Sequence, residues 1–224
     1  MNGRRALRRA LLVGALVTGA TTPLAAQLAV QAGALVAMSE HRVSAGSGVE
    51  QSSGTLVGGD GRLLVGSHFE LFLHAAGGKL SADSASADDE DLGEALARVS
   101  VITVPWLALD AGVSSRSFST TVVRQRWTAL RLGGELRLAF VGGGVTGVLR
   151  GEVLPSVTVS GLAKPSRAYA AGAGFEYQIG LFTLGLRYEL ERYDFPVASG
   201  VARREQLSSL TAQAGLRLGR GQAP

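Results

Sequence analysis

The sequence predicts an all-β protein: a closed antiparallel up-and-down transmembrane β-barrel with ten strands or, as an alternative, eight. Three observations lead to this prediction. Apolar and polar side chains alternate with a period of two, which is the repeat of a β-strand. Very short turns alternate with longer polar loops along the chain. The polar strand faces carry full charges beside glycines, as expected of a barrel whose outside meets lipid and whose inside meets a lumen.

The segment 169–195 shows the alternation most clearly. A very short break around Gly180 separates its two arms, which predicts a β-hairpin. One face of both arms is apolar along its whole length. The members of that face are Ala171, Ala173, Phe175, Tyr177, Ile179, Phe182, Leu184, Leu186, Tyr188 and Leu190. The opposite face carries Glu176, Arg187, Glu189 and Glu191.

Eight further segments complete the predicted barrel. They cover residues 28–38, 49–58, 62–76, 97–104, 106–118, 130–138, 145–153 and 210–218. Tight turns are expected near residues 60, 105, 143 and 180, the first because Asp60-Gly61 is a two-residue turn signal. Longer loops are expected over 39–48, 77–95, 119–124, 161–167 and 196–203. The segment 49–58 is poor in large apolar residues. If it and 28–38 both lay outside the barrel, eight strands would remain.

The first 26 residues have the layout of a secretory signal peptide. Arginines at positions 4, 5, 8 and 9 precede an apolar run over 10–20, and cleavage is expected after Ala26. That run is shorter than the roughly 20 residues that a transmembrane helix needs. Removing these four arginines leaves 18 basic against 18 acidic residues, so there is no electrostatic case for nucleic-acid binding. The barrel is expected over 27–219, with a tail at 220–224.

In this pattern the chain resembles the small bacterial outer-membrane β-barrels, of which the OmpA transmembrane domain is a familiar member. The resemblance covers the whole mature chain and rests on the strand pattern rather than on a motif. It implies an outer-membrane location, export through the periplasm, insertion by the barrel assembly machinery, and contact with outer-membrane lipid and lipopolysaccharide. The chain departs from the class at its end, LRLGRGQAP, which lacks the usual terminal aromatic residue.

Because side chains alternate between the two faces of a strand, seven basic and seven acidic side chains are predicted to face the lumen. An unpaired charge in a narrow lumen costs several kcal/mol, so these charges are expected to pair. Arginine suits this arrangement because its planar fork binds carboxylates in bidentate fashion. The basic residues are Arg98, Arg116, Arg131, Arg137, Arg150, Arg187 and Arg217. The acidic residues are Glu70, Asp110, Glu135, Glu152, Glu176, Glu189 and Glu191.

The balanced lumen favours a barrel with a packed polar core and a structural or surface-interaction role. One alternative is a narrow channel for small solutes through the same residues. Another is an outer-membrane surface hydrolase, for which His74, Asp83 and Ser84 are the nearest candidates. A soluble periplasmic β-sandwich is a further alternative, although its water-facing strands should carry more lysine than Lys79 and Lys164.

The remaining motifs predict no cofactor, no metal site and no catalytic site, so the protein is expected not to be an enzyme. Residues 142–147 match the dinucleotide-binding pattern but lead into a strand, whereas that site requires a helix. The chain has no cysteine, and His68 and His74 stand roughly 20 Å apart on one predicted strand. The acidic run Asp88 to Asp91 lacks the ligand spacing of a calcium loop and is expected to be solvated.

Aromatic residues near the strand ends predict a girdle on the outer wall, as barrels place aromatic side chains at both membrane interfaces. Those expected towards the loops are Phe118, Trp127, Tyr169, Tyr193 and Phe195. Those expected towards the turns are Trp106, Phe140 and Phe182.

Overall fold

The computed structural model describes residues 28–84, 88–120, 123–140 and 143–219. The expected signal peptide at 1–26 and the tail at 220–224 lie outside the described residues. Ten strands account for the described fold. They are β1 (Leu28–Ala45), β2 (Gly48–Val65), β3 (Phe69–Ala82), β4 (Glu90–Val104), β5 (Leu107–Ser119), β6 (Arg124–Ala139), β7 (Val145–Val159), β8 (Arg167–Ile179), β9 (Phe182–Asp194) and β10 (Arg203–Gly219). The described part holds no helix that is long and apolar enough to cross a bilayer.

The ten strands form a closed antiparallel barrel in which each strand pairs with its neighbours in sequence. β1 closes the barrel on β10, with register pairs that run from Ala29–Gly219 to Ala45–Arg203. β1 also pairs with β2 along its whole length. The predicted fold class is therefore confirmed with ten strands rather than eight, because the weak segment 49–58 belongs to a full strand.

Several predicted boundaries were wrong because the strands are longer than their apolar segments. The expected loop over 39–48 shrinks to a turn at residues 46–47. Asp60-Gly61 forms no turn: it lies within β2, where Asp60 is opposite Gly33 of β1 and His74 of β3. Pairing on both sides holds these residues extended, and the turn lies instead at Gly66, whose φ is 64°. Likewise β3 continues to Ala82 and β4 begins at Glu90, which shortens the loop expected over 77–95.

The outer wall carries an apolar belt at the turn end of the barrel. On β1 it runs from Leu28 to Met38, and on β9 from Phe182 to Leu190, with outward side chains that are largely exposed. This length matches the roughly 9–11 residues with which a tilted strand crosses a bilayer. The strands are 13 to 18 residues long, so they continue past the belt at the loop end. There the outward positions become polar, as at Arg42 and Arg192.

Candidate functional site in the lumen

The structure places all fourteen predicted lumen charges on the inner wall, where the strand alternation aims them. Several are almost fully buried, including Glu70 at 1% exposure, Arg98 at 2% and Glu135 at 2%. Glycines on the same faces make room for them. A Cβ atom added to Gly133 would lie 2.7 Å from Cγ of Glu152. The small inner residues thus give the long charged side chains space to cross the lumen.

Eight side chains form a closed ring of alternating charge inside the belt, which we call the ion-pair ring. In order around the lumen its members are Arg62, Glu70, Arg137, Glu135, Arg150, Glu189, Arg187 and Glu176. Arg137 lies 2.6 Å from Glu135, and the widest contact is 3.7 Å, between Arg150 and Glu189. The ring joins six strands, β2, β3 and β6 to β9. Each member has an opposite charge on both sides, so none is buried alone.

A second set of ion pairs crosses the lumen nearer to the loop end, and we call it the ion-pair chain. Its members are Glu152, Arg131, Glu191, Arg116, Glu94 and His74. Arg131 contacts Glu152 and Glu191, each at 2.5 Å. Tyr193 also donates its hydroxyl hydrogen bond to Glu191 at 2.6 Å. The chain therefore links β3 to β7 and β9 across the lumen.

Three predicted lumen residues lie beside the ring and the chain rather than within them. Asp110 lies 3.6 Å from Arg150 and so branches from the ring. Arg217 lies towards the turn end and donates a hydrogen bond to Gln178 at 3.2 Å. The guanidinium of Arg98 stands over the ring of Phe72, 4.6 Å from its centroid. Within the described residues the guanidinium nitrogens of Arg98 have no hydrogen-bond partner, and the cation–π contact stabilises the buried charge.

An apolar plug fills the loop end of the lumen, and it contains residues that were predicted to form a girdle on the outer wall. Its members are Phe118, Trp127, Tyr193, Phe195 and Leu207, each at most 7% exposed. Trp127 packs edge-on against Phe118, Tyr193 and Phe195, at centroid distances of 6.2, 4.9 and 6.0 Å. The outward girdle was therefore wrong for these four aromatic residues. Past the belt the outer wall meets water, so large aromatic side chains are stabilised by turning inward.

The other four residues predicted for the girdle are exposed, as expected. Tyr169, Phe140 and Phe182 are exposed, at 39%, 50% and 63%, and Trp106 in the β4–β5 turn is also exposed. Tyr169 marks the loop-side boundary of the belt on β8. Phe182 and Phe140 mark its turn side. The girdle is thus smaller than the sequence predicts.

His41 ties three strands together beside the plug, three residues past the belt on β1. Its Nδ1 lies 3.1 Å from Glu90 of β4, and its Nε2 lies 3.2 Å from Glu205 of β10. Its ring stacks on Phe118 at 4.4 Å. Burial opposes protonation, but the hydrogen bonds with Glu205 and Glu90 outweigh it and raise the pKa of His41 above 6.5. A protonated imidazole donates to both carboxylates, whereas the neutral ring has one N–H.

Several of these residues escaped the sequence prediction. Arg62 shares the even-numbered face of Glu70, but it stands beside the supposed turn at Asp60-Gly61. Glu94 shares the even-numbered face of Arg98, but it fell within the supposed loop over 77–95. In both cases an even sequence separation from a neighbouring lumen residue could have placed the side chain on the lumen face.

The lumen narrows from the turn end to the loop end. A vestibule of about 200 Å³ opens at the turn end, lined by Arg62, Glu176 and Arg217 among others. A cavity of about 50 Å³ lies beside the ion-pair chain, and one of about 10 Å³ lies at the plug. A water molecule requires roughly 10–15 Å³ by such a measure, so the plug leaves room for about one.

The residues proposed for hydrolysis do not come together. His74 is in the ion-pair chain, with Nε2 3.2 Å from Glu94. Asp83 follows the end of β3, nine residues further along, which corresponds to roughly 30 Å of extended strand. Among the described residues no group of three or more metal-ligating side chains is positioned to hold an ion. In the acidic run, Asp89 instead pairs with Lys79 at 2.9 Å.

The distribution of polarity is inverted relative to a soluble protein. The largest fully buried side chains include Arg98, Glu70 and Glu135, whereas Leu184 and Phe182 are exposed. A soluble fold would bury the second group and solvate the first. A barrel in lipid does the opposite. The protein is therefore a small closed β-barrel whose outer belt suits lipid rather than water.

Comparison with known proteins finds likenesses of low identity among solved structures. The sequence matches no family model and no curated protein. Among solved structures, the translocator domain of the autotransporter NalP from Neisseria meningitidis is 15% identical, with a TM-score of 0.43 over 96% of this chain and 94% of that one. Ail, the attachment invasion locus protein of Yersinia pestis, is 12% identical, with a TM-score of 0.36 over 84% and 98%. Neisserial surface protein A is 12% identical, with a TM-score of 0.37 over 85% and 96%. These likenesses concern the fold alone.

Proposed function

We propose that the protein is a closed, non-conducting and non-catalytic barrel in the outer membrane. Its role is structural or lies in surface interactions made by the loop end of the barrel. Cleavage after Ala26 would release the mature chain to the periplasm, and the barrel assembly machinery would insert it. The short turns then face the periplasm and the longer loops face outward, as is usual for such barrels. In this orientation the strand extensions past the belt stand above the membrane surface.

The observation that carries the proposal is the closure of the lumen at successive levels. The ion-pair ring spans it within the belt, the ion-pair chain spans it above, and the apolar plug fills the loop end. The cavity volumes fall from about 200 to about 10 Å³ along this path. Moving an ion along it would require breaking buried ion pairs, which costs several kcal/mol for each charge left alone.

Planar-bilayer recording tests the closed lumen. We expect no steady conductance from the wild type. Combined Trp127→Ala, Arg116→Ala and Arg137→Ala substitutions open a space in the plug and break both the chain and the ring, and we expect conductance steps from that variant, which shows that insertion and detection work. Trp106→Ala, at an exposed turn position, is the matched control and should stay silent. Stable ion-selective steps from the wild type would refute closure and favour the narrow channel.

Cell fractionation tests the placement in the outer membrane. We expect the protein in the outer-membrane fraction, with an unboiled band that migrates faster on SDS gels than the boiled one. Recovery from the soluble periplasm without a heat shift would mean that the apolar belt is buried against other protein, and the proposal would fail.

A further inference from the structure

A groove opens on the outer wall where β7 separates from β8. Its origin is Pro155, which lies within β7 and lacks the backbone N–H that a strand ladder uses. The β6–β7 register shifts here: Leu130 is opposite Ser156, while Leu132 is opposite Val153. Two residues of β7 therefore lie opposite one residue of β6, which is a β-bulge, and a bulge bends its strand.

The separation of the two strands begins directly after the bulge. The β7–β8 ladder ends at the pair Val153–Tyr169, although β7 continues to Val159. The space between the strands has a volume of about 410 Å³. Its walls include Val153, Pro155, Lys164, Pro165, Arg167 and Tyr169. The groove is thus apolar at its base and basic along one side.

The groove lies at the level of the membrane surface. Val153 is an outward belt residue with 59% exposure, and it forms the membrane-side end of the groove. Tyr169, at 39% exposure, stands opposite it at the boundary of the belt. Exposed aromatic side chains of barrels lie at this boundary. The groove therefore opens where lipid headgroups meet the barrel wall.

The charges around the groove are basic and only partly compensated. Lys164 and Arg167 are exposed, and neither forms an ion pair within the described residues. On the adjoining strands Arg192 and Arg204 share one carboxylate, that of Asp194, at 3.2 and 2.9 Å. This flank thus carries these four cations, of which two share the carboxylate of Asp194.

The opposite flank of the loop end has the reverse charge. It carries four exposed carboxylates between β3 and the start of β4: Asp83, Asp88, Asp89 and Asp91. Lys79 is the basic residue beside them, and it pairs with Asp89. The basic groove is therefore a local feature of the β7–β10 flank rather than a property of the whole rim.

We propose that this groove binds the phosphorylated glycolipid headgroup of the outer leaflet, that is, the lipid A part of lipopolysaccharide. One phosphate lies between Lys164 and Arg167, where the guanidinium offers two parallel donors. The stem of an acyl chain packs on Val153, Pro155 and Tyr169. The inference rests on the proposed orientation, because only the outward leaflet presents this lipid to the loop end.

Native mass spectrometry of the full-length mature protein in neutral detergent micelles tests the site. The probes are bisphosphorylated lipid A, its monophosphorylated analogue and phosphatidylglycerol. The variant is Lys164→Gln/Arg167→Gln, and the matched control is Lys79→Gln on the acidic flank. We expect the wild type and the control to prefer bisphosphorylated lipid A. We expect the double variant to bind it about tenfold more weakly or worse, since charge-assisted hydrogen bonds to the phosphate are lost.

Three results would overturn the assignment. One is equal affinity of the wild type and the double variant for bisphosphorylated lipid A. Another is wild-type binding of phosphatidylglycerol as tight as that of lipid A, which would mean a general charged surface. The third is a concentration-dependent dimer that the double variant abolishes, which would make a second copy the occupant. Each variant must keep the heat-shifted gel band. Failure of outer-membrane placement in cells is a separate outcome, since the micelle titration does not depend on it.

Discussion

Replacing Arg62 with methionine tests whether the ion-pair ring stabilises the barrel. The substitution keeps an unbranched side chain of similar reach but removes two ion pairs, at 3.4 Å to Glu70 and 2.9 Å to Glu176. Removing one partner of a buried pair costs about 3–5 kcal/mol. Both carboxylates keep a second arginine, Arg137 and Arg187, so we expect a loss near the lower end, about 3 kcal/mol.

The assay is reversible denaturant unfolding of the barrel in lipid vesicles, followed by tryptophan fluorescence. A double-mutant cycle with Glu176→Gln separates the Arg62–Glu176 contact from general effects of each substitution. We expect a coupling free energy of about 1–3 kcal/mol, because the two side chains make a bidentate contact at 3.2 and 2.9 Å.

Arg124→Met is the matched control, since Arg124 is exposed at the loop end of β6. Its free energy of unfolding should stay within about 0.5 kcal/mol of the wild type. The ring does not stabilise the barrel if Arg62→Met costs no more than this control, or if the coupling free energy is close to zero. Either result would mean that the lumen charges are solvated individually.

Three further predictions follow from the plug, the packed glycines and the histidine. In the Trp106→Phe variant Trp127 is the remaining tryptophan, and we expect neither acrylamide nor brominated lipid to quench its fluorescence strongly, because Trp127 is 4% exposed. In the Trp127→Phe variant the remaining Trp106, at 55% exposure, should be quenched more by acrylamide. Strong quenching of Trp127 by brominated lipid would mean that this side chain faces outward. Gly133→Ala should lower the free energy of unfolding by at least about 2 kcal/mol, since the new Cβ would lie 2.2 Å from the Gly151 carbonyl oxygen. A Cβ at Gly151 meets open space, so the control Gly151→Ala should be neutral or slightly stabilising. Equal effects of the two substitutions would contradict the close packing at Gly133. The pKa of His41 is raised on folding, so the stabilisation from its protonated ring is complete below about pH 6.5 and is lost as pH rises through the folded pKa. The difference in unfolding free energy between the wild type and His41→Gln should therefore be larger at pH 5 than at pH 9. A difference that does not change with pH would count against the two carboxylate contacts.

Apart from residues such as Arg62 and Glu94, the members of the candidate site could be predicted from the sequence, but their contacts with one another could not. Strand parity depends on local chain geometry, so Glu135, Arg137 and Arg150 could be assigned to the lumen from the sequence. Their pairing could not, because it depends on how far neighbouring strands are shifted past one another when the barrel closes. Arg62 and Glu176, for example, are 114 residues apart in sequence and meet only across the lumen.

The sequence alone determined the fold class of this protein. A period of two with one continuous apolar face requires a surrounding that accepts apolar side chains, and closure satisfies every backbone group in lipid. Local signals failed where long-range contacts outweighed them. Asp60-Gly61 stays extended because strands pair on both sides of it. Trp127 lies inward because it shares the face of Arg131, at the loop end of β6 where the outer wall lies beyond the belt. Only the tertiary structure decides the ring, the plug and the groove at Pro155, since each depends on strands that are distant in sequence and on the height of each residue relative to the bilayer.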